Sequence, residues 1–516
     1  MVQDVVGRAR RLPPELALLR ITNARHRLPA VLGTGLLVML ALGVMIGGGI
    51  FSLAGKQAAT MAGPAVIVSF VIAAVVSLLA ALSYAELSST IPTAGSVYTF
   101  AYVAFGELWA WIVGWALVLE LLVAAAVVSR VWASYFTATI DGFGIGVPTF
   151  LAEHSKDSEG TGWIAAALVI VLALLVMTGA KLTGRVLATI VSLKLVAVVL
   201  VIAVGATHVK TANYSPFIPQ SKSVDGGSTV LQTIMGSSEV FGIFGIFTAA
   251  GAIVFAFIGF DLIATAAEDT KDPRHSIPRA MLASIGIVSV LYVAMATVLV
   301  GLRPFGELNT AAPVSDALRA AGAPSWSANV INVGALFGLT TVVLVVLIAQ
   351  SRVLFAMGRD GLLPKGLAKV GVGSSPSRAA SLAGVAAAVL ALDPGTMKRA
   401  DLLVLGTLFA FAFCAVGVIR LRRSEPDLER GFRVPLVPLV PILSLLATIW
   451  LSFNLTWTNW RDFAIWMIVG LVLYVAYGRG HSVLGTRDDE PPPPAALVEL
   501  EAPAVRPPRP PGAHRA

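Results

Sequence analysis

Long apolar runs recur along the chain, and short polar segments separate them. A helix needs about 20 mainly apolar residues to cross the hydrocarbon core of a bilayer. Twelve stretches reach or approach that length, so we predict twelve transmembrane helices, numbered spans 1 to 12. The predicted ranges are 31–54, 64–84, 107–136, 162–179, 184–206, 242–267, 278–301, 326–356, 379–392, 401–420, 435–453 and 462–477.

The composition supports a membrane protein and excludes a soluble enzyme. Hydrophobic residues make up 57% of the chain and charged residues only 13%, whereas soluble proteins carry about 25% charged residues. The net charge of +8 does not indicate a nucleic-acid partner, because most lysines and arginines fall on the side of the predicted spans that holds both termini. By the positive-inside rule, we predict a multi-pass protein of the cell membrane with both termini in the cytoplasm.

Two spans contain residues that oppose a continuous helix at mid-membrane depth. Span 1 contains Gly47, Gly48 and Gly49 in succession, and each glycine costs about 1 kcal/mol of helix propensity relative to alanine. Gly43 and Gly47 alone would also fit a helix-packing face. Span 6 contains the run Phe255–Asp261, with Gly259 and a carboxylate inside an apolar segment. We therefore predict that both helices are broken.

Paired breaks at matching positions of two halves indicate a transporter built from inverted repeats. The ends of half-helices offer N–H groups to a carboxylate and carbonyl groups to an ammonium. An α-amino acid carries both groups, so we predict that it binds between the breaks. The predicted main-chain contacts are Ile46, Gly47, Gly48 and Gly49 for the carboxylate, and the carbonyls of Phe255, Ala256 and Ile258 for the ammonium.

The predicted fold is an all-α, polytopic membrane protein with two repeats of five helices, of the LeuT type, followed by two further helices. The predicted boundaries are an N-terminal tail at 1–30, repeats at 31–206 and 242–420, an extracellular loop at 207–241, the last two spans at 421–477 and a C-terminal tail at 478–516. Prolines are frequent in this C-terminal tail, so we predict that it is disordered.

Five separated motifs resemble those of the amino acid–polyamine–organocation superfamily, and within it the cationic amino acid transporter family. They are Gly43–Phe51, Ser83–Tyr98, Phe255–Asp261, Glu268–Pro278 and Gln350–Pro364, and Gly114–Trp115, Leu119–Glu120 and Lys194 add to them. The family's usual Gly-Ala-Gly is Gly47–Gly49 here, and its Trp-Asp is Trp115–Ala116. These departures put the identity of the substrate in doubt. The resemblance to the family implies that cationic amino acids are among the substrates.

Lys194 lies near the middle of span 5, about eleven residues or roughly 16 Å from either end. A lysine at this depth cannot easily extend its charge to water, although a purely structural role is the alternative. The resemblance implies that this lysine takes the place of a bound sodium ion. We predict that it carries the coupling proton and reaches the carbonyls of 41–44 and the hydroxyls of Thr340 and Thr341.

Other ionisable or aromatic residues in the spans have two interpretations each. Glu120 either lies below the substrate pocket and affects specificity, or is a protonated structural glutamate. Asp261 caps freed N–H groups and also serves in gating. Glu268 belongs to the gate or to a loop ion-pair network. Phe255 closes the pocket or is a plain packing aromatic.

The leading hypothesis is a proton-coupled secondary permease for amino acids that works by alternating access. An uncoupled amino-acid exchanger and an amino-acid-binding membrane receptor remain as alternatives. We expect no enzymatic activity, cofactor or metal site, because no nucleophile, metal-ligand set or paired carboxylates converge in the sequence. The predicted partners are an amino acid, a proton and membrane lipid, and an accessory single-span subunit stays open.

Overall fold

The chain folds almost entirely into helices in a computed structural model. The structure describes residues 10–14, 17, 32–93, 95–142, 144, 161–178, 184–223, 229–235, 239–310, 312–369, 371 and 376–487. The α-helices of three turns or more are Thr34–Met45, Val66–Thr90, Glu107–Gly142, Thr161–Met177, Gly184–Ala206, Gly242–Phe257, Pro273–Leu302, Ser325–Arg359, Ser377–Leu392, Ala400–Ser424, Leu439–Phe453 and Trp457–Leu473. Within the described part of the chain, these twelve helices correspond to spans 1 to 12.

Shorter elements connect the spans. Helices Val97–Phe105, Val230–Met235 and Pro313–Ala320 follow spans 2, 5 and 7, and strands Lys222–Ser223 and Glu239–Val240 pair antiparallel between spans 5 and 6. Among the described residues, eight helical segments are long and apolar enough to cross a membrane, and the first, Thr34–Thr90, contains both span 1 and span 2. Spans 4, 9 and 11 are shorter apolar helices. An all-helical arrangement is expected in a bilayer, where helices satisfy their own backbone hydrogen bonds.

The start of span 7 differs from its predicted start at residue 278. The helix begins at Pro273, because a proline at the first helical position lacks only an N–H that would have no partner anyway. Pro278 then lies inside the helix. A charged segment that looked like a loop in the sequence is therefore the first turns of span 7.

The two broken spans lie in the centre of the bundle. Span 1 packs against spans 5, 7 and 8, and span 6 packs against span 2 and the second half of span 1. Spans 3 and 8 pack along much of their length beside them. This arrangement surrounds both breaks with protein, which is the condition under which irregular backbone is tolerated at membrane depth.

A buried carboxylate ties the two terminal segments to the bundle. Glu107, at the start of span 3, accepts hydrogen bonds from Tyr102 at 3.2 Å, from Tyr474 at 3.0 Å and from Ser482. The guanidinium of Arg10 lies 3.6 Å from the same carboxylate. The two ends of the described chain therefore meet on one side of the bundle.

Residues 478–481 and 483–487, which the sequence placed in the C-terminal tail, are helical. Helical turns at Arg479–His481 and Val483–Arg487 continue beyond span 12, and the Val483 N–H donates to the Asp360 carbonyl at 3.0 Å. Packing against the loop after span 8 orders these residues, which the sequence placed in a disordered tail. The rest of the predicted tail, and the predicted N-terminal tail apart from residues 10–14 and 17, lie outside the described residues.

Arg130 is a charged residue inside predicted span 3, and the structure gives it a partner. It is buried within the long helix of span 3, and its guanidinium donates to the carbonyls of Ala391 at 2.7 Å and Leu392 at 3.3 Å. These carbonyls end span 9, where a helix presents the negative end of its dipole. The cation therefore caps a neighbouring helix.

A second buried carboxylate joins span 2 to span 10. Glu86 accepts two hydrogen bonds from Arg422, at 2.8 and 2.6 Å, and one from the Val434 N–H at 2.6 Å. Arg430, whose side chain is only 5% exposed, lies 3.5 Å away. The sequence showed Glu86 only as part of a family motif and did not indicate this network.

We expect Glu86→Gln to lower the thermal stability of the detergent-solubilised protein. Removing the charge leaves Arg430 buried without its counter-ion, and breaking a buried pair costs about 3 kcal/mol. The matched control is Glu429→Gln, since Glu429 pairs with Arg274 but is 77% exposed, and exposed pairs contribute less than about 1 kcal/mol. Equal melting temperatures for the two variants would contradict this assignment.

Candidate functional site

The helix of span 1 ends at Met45, just before the three glycines. Ile46 leaves the helical conformation with φ −75° and ψ 86°, and helical turns resume at Gly49–Leu53. The residues from Ile46 to Gly49 are buried. The predicted break of span 1 is therefore present at the predicted residues, at the level where spans 3, 6 and 8 surround it.

The helix of span 6 ends at Phe257, inside the second predicted motif. Ile258 is extended, Gly259 has φ +133°, and a 3₁₀ helix follows at Asp261–Asp269. The carboxylate of Asp261 accepts the Gly259 N–H at 2.9 Å. Asp261 thus satisfies an N–H group that the break frees, as the sequence predicted, while its role in gating stays a prediction.

Two glycines allow the breaks to touch each other. A Cβ atom built on Gly49 would lie 2.2 Å from the Cβ of Ala256, and one built on Gly259 would lie 2.8 Å from the side chain of Val44. No other residue type fits such approaches without moving the backbone. The main chains of spans 1 and 6 therefore run in direct contact at the site.

Lys194 bonds to carbonyl groups that the break in span 1 leaves without helical partners. Its buried Nζ donates to the carbonyls of Gly43 and Ile46, both at 2.8 Å. The Thr341 hydroxyl, from span 8, lies 3.2 Å from the same Gly43 carbonyl and 2.7 Å from the Gly338 carbonyl of its own helix, and its single proton is shared between them. The structure therefore brings spans 1, 5 and 8 together at the group of residues that the sequence singled out for ion coupling.

Two other residues predicted for these roles are placed differently. The hydroxyl of Thr340 donates to Leu336 within its own helix at 2.7 Å, and no described contact joins it to Lys194. Consecutive helical residues differ in direction by about 100°, so only one of the two threonines can face span 1. Glu268 lies in the 3₁₀ helix after the second break, and its side chain is outside the described part of the structure.

Tyrosine hydroxyls hold further carbonyls near the breaks, and sequence reasoning missed them. Tyr292 in span 7 donates to the carbonyls of Met45 and Ala256, the latter at 2.9 Å. Tyr135 in span 3 donates to the Phe51 carbonyl at 2.7 Å. A tyrosine inside an apolar span gives little signal in one sequence, because packing aromatics look the same.

A small apolar cavity lies beside the breaks. Its volume is about 20 Å³, and it is lined by Val44, Met45, Gly48, Gly49, Ala124, Val128, Phe255, Ile258, Val342 and Val346. A Cβ atom built on Gly48 would lie 3.6 Å from the Phe255 ring, so Gly48 faces this phenylalanine at an ordinary contact distance. An amino acid needs more room than the cavity provides, which requires side chains such as Phe255 to move.

Glu120 lies one helical turn from this cavity, on the same helix as two lining residues. It precedes Ala124 by four positions and Val128 by eight, so the three side chains share a face of span 3. The side chain is 1% exposed. Its carboxylate has the Thr407 hydroxyl and the carboxylate of Asp261 as electrostatic neighbours. Burying a carboxylate in the middle of a span is costly and points to a functional role.

Similarity to known proteins accounts for this combination of features. A family model described as amino acid permease matches residues 32–474. The branched-chain amino acid permease BcaP of Bacillus subtilis is 40% identical over 90% of this chain and 97% of its own length. The methylthioribose transporter of the same organism is also 40% identical, over 87% and 93% of the two chains. Mouse cationic amino acid transporter 4 is 33% identical over 80% of this chain and 65% of its own.

A solved structure supports the fold independently of sequence. The crystal structure of MhsT in complex with L-phenylalanine superposes with a TM-score of 0.53, at 12% identity, over 86% of this chain and 98% of that one. This match confirms the predicted LeuT-type helical membrane fold, and the family model and the relatives confirm the predicted superfamily. The chain is a multi-pass membrane transporter and not an enzyme, and it belongs to the amino acid permease family of the amino acid–polyamine–organocation superfamily.

Proposed function

We propose that this permease is a proton-coupled transporter of neutral amino acids with apolar, branched side chains. The observation that carries the proposal is the contact of two broken helices beside a cavity with an entirely apolar lining. The breaks suit the two charged groups that all α-amino acids share. The residues that line the cavity determine which class of substrate side chain fits.

The substrate carboxylate is proposed to bind the main chain from Ile46 to Gly49, and the ammonium the carbonyls of Phe255, Ala256 and Ile258. The Phe255 carbonyl accepts the Ile258 N–H at 3.2 Å and keeps a second lone pair for the ammonium, so it stays in the proposed subsite, and the Phe255 ring contributes as well. Phe255 also closes the pocket in this proposal, because its ring lies beside Gly48.

An apolar side chain suits the lining better than a cationic one. The ten lining residues include no carboxylate, and an uncompensated charge in such a cavity would pay a large desolvation cost. BcaP is described as a branched-chain amino acid permease, and its sequence identity to this chain, 40%, is higher than the 33% of the mouse cationic transporter. Branched-chain amino acids are therefore the proposed substrates.

Lys194 is the proposed coupling group. The proposed orientation of the protein places both termini in the cytoplasm. Its hydrogen bonds to Gly43 and Ile46 hold span 1 to span 5. Hydrogen bonds from a charged donor are roughly twice as strong as those from a neutral one. Loss of the proton would therefore loosen span 1, which links proton release to movement of the broken helix.

Uptake of labelled leucine into proteoliposomes tests the proposal. We expect accumulation with an imposed pH gradient, none with a sodium gradient alone, and stronger competition by valine and isoleucine than by lysine. Exchange without net accumulation would favour the exchanger, and binding without any flux would favour a receptor. Thermal stabilisation by methylthioribose but by no amino acid would contradict the proposed substrate class.

We expect Glu120→Gln to change the ranking of substrates. A long cationic side chain entering the cavity would reach toward the buried carboxylate one turn away, so the neutral variant should discriminate more strongly against lysine and arginine. Competition of each amino acid against labelled leucine measures this ranking, with a severalfold change expected. An unchanged ranking with a lower melting temperature would identify Glu120 as structural.

A further inference from the structure

The hydroxyl of Tyr292 connects the two broken helices to each other. The side chain is 1% exposed, and its ring packs edge-on against Phe257 and Phe70, with centroid distances of 5.3 and 5.9 Å. The hydroxyl donates to the Met45 carbonyl of span 1 and to the Ala256 carbonyl of span 6 at 2.9 Å. Span 7 thus holds both breaks through one oxygen atom.

One hydroxyl proton cannot fully satisfy two carbonyls. A tyrosine has a single O–H donor, so when the proton points at one of these carbonyls, the other has only a weak partner. A buried acceptor without a donor is energetically costly. The arrangement is therefore short of one hydrogen-bond donor, at a point where the two breaks meet.

We propose that Tyr292 is a positioning residue that holds the Ala256 carbonyl ready for the substrate ammonium. An ammonium supplies three N–H donors, and one of them would satisfy the Ala256 carbonyl while the tyrosine proton turns to Met45. Met45 lines the cavity, and Ala256 lies between the lining residues Phe255 and Ile258. This inference rests on the proposed amino-acid site and adds to it the group that completes the ammonium subsite.

Tyr135 provides a matched comparison within the same site. Its ring is also buried and its hydroxyl also donates to a carbonyl of span 1, that of Phe51 at 2.7 Å. Phe51 lies beyond the break, in the resumed helical turns. Removing the Tyr135 hydroxyl therefore removes a buried hydrogen bond of the same kind without affecting the contact between the two breaks.

The test compares Tyr292→Phe with Tyr135→Phe in proteoliposomes and in detergent. We expect Tyr292→Phe to raise the KM for leucine about tenfold relative to Tyr135→Phe, with similar Vmax and similar melting temperatures. The inhibition of uptake by 4-methylpentanoate, which is leucine without its amino group, should be the same in both variants. The ratio of the inhibition constant of 4-methylpentanoate to the KM for leucine should therefore be about tenfold lower in Tyr292→Phe than in Tyr135→Phe.

Three results would overturn the inference. They are an unchanged KM for leucine in Tyr292→Phe, an equal loss of affinity for leucine and 4-methylpentanoate, and a fall in melting temperature well beyond that of Tyr135→Phe. The wild-type protein separates this inference from the proposed function. No uptake of any amino acid by the wild type would contradict the site itself, whereas normal leucine uptake by Tyr292→Phe contradicts only the role of the tyrosine.

Discussion

Lys194→Ala should abolish the accumulation of substrate driven by a pH gradient while substrate binding remains measurable. The substitution leaves the carbonyls of Gly43 and Ile46 without the donor that they share. It also removes the only lysine within the spans as predicted from the sequence. Because the lysine contacts the back of span 1 rather than lining the cavity, binding should weaken but persist. Uptake with a pH gradient, together with binding by thermal shift, measures both effects.

A glycine in span 8 offers an independent way to disturb the same group. A Cβ atom built on Gly338 would lie 2.5 Å from the Cδ atom of Lys194, whereas one on Gly334, one turn earlier, would approach only Ala197 at 3.0 Å. Gly338→Ala should therefore reduce proton-driven uptake more than Gly334→Ala does. If Lys194→Ala still concentrates substrate when protons alone drive transport, or if wild-type uptake depends on sodium, the coupling mechanism is wrong.

Gly48→Val should abolish amino-acid binding without unfolding the protein. A Cβ atom at Gly48 meets only the Phe255 ring and the Val131 side chain, at 3.6 and 3.8 Å, which are ordinary contact distances. The added methyl groups would occupy the cavity where the substrate is proposed to bind. We expect at least a hundredfold loss of leucine affinity, measured by thermal shift, with a melting temperature of the free protein close to that of the wild type.

The neighbouring glycine supplies a contrast for this experiment. Even a single methyl group at Gly49 would overlap Ala256, so Gly49→Ala should lower stability as well as binding. The two variants separate a filled cavity from a disturbed contact between helices. Normal leucine binding by Gly48→Val would show that the substrate does not bind at the first break.

The breaks and the buried lysine could be predicted because each consists of residues that an apolar transmembrane helix rarely contains. Three glycines in succession, or an ammonium at mid-span, oppose the ordinary requirements of a transmembrane helix, so a single sequence shows them. The same reasoning located the N–H that Asp261 caps. Local chemistry at these positions is nearly sufficient to define the structure.

The remaining contacts depend on how separate helices are rotated and placed side by side. Tyr292 looks like a packing aromatic until span 7 is placed against both breaks, and Arg130 has no evident partner in the sequence until span 9 ends beside it. Thr340 and Thr341 are equivalent in the sequence, and only the rotation of span 8 decides which one reaches Gly43. Long-range packing, not local pattern, determines these residues.

The attachment of the Lys194 amine to the chain has a consequence for the environments in which this permease can work. A dissolved cation occupies its site in proportion to its concentration, and a cell must maintain that concentration outside the membrane. The amine is covalently bound to span 5, and its Nζ stands 2.8 Å from two carbonyls of span 1, so its local concentration is fixed by the fold and cannot be diluted. If Lys194 is the coupling group, as proposed, the support of span 1 does not depend on the salt concentration of the medium, and a pH gradient alone would drive uptake.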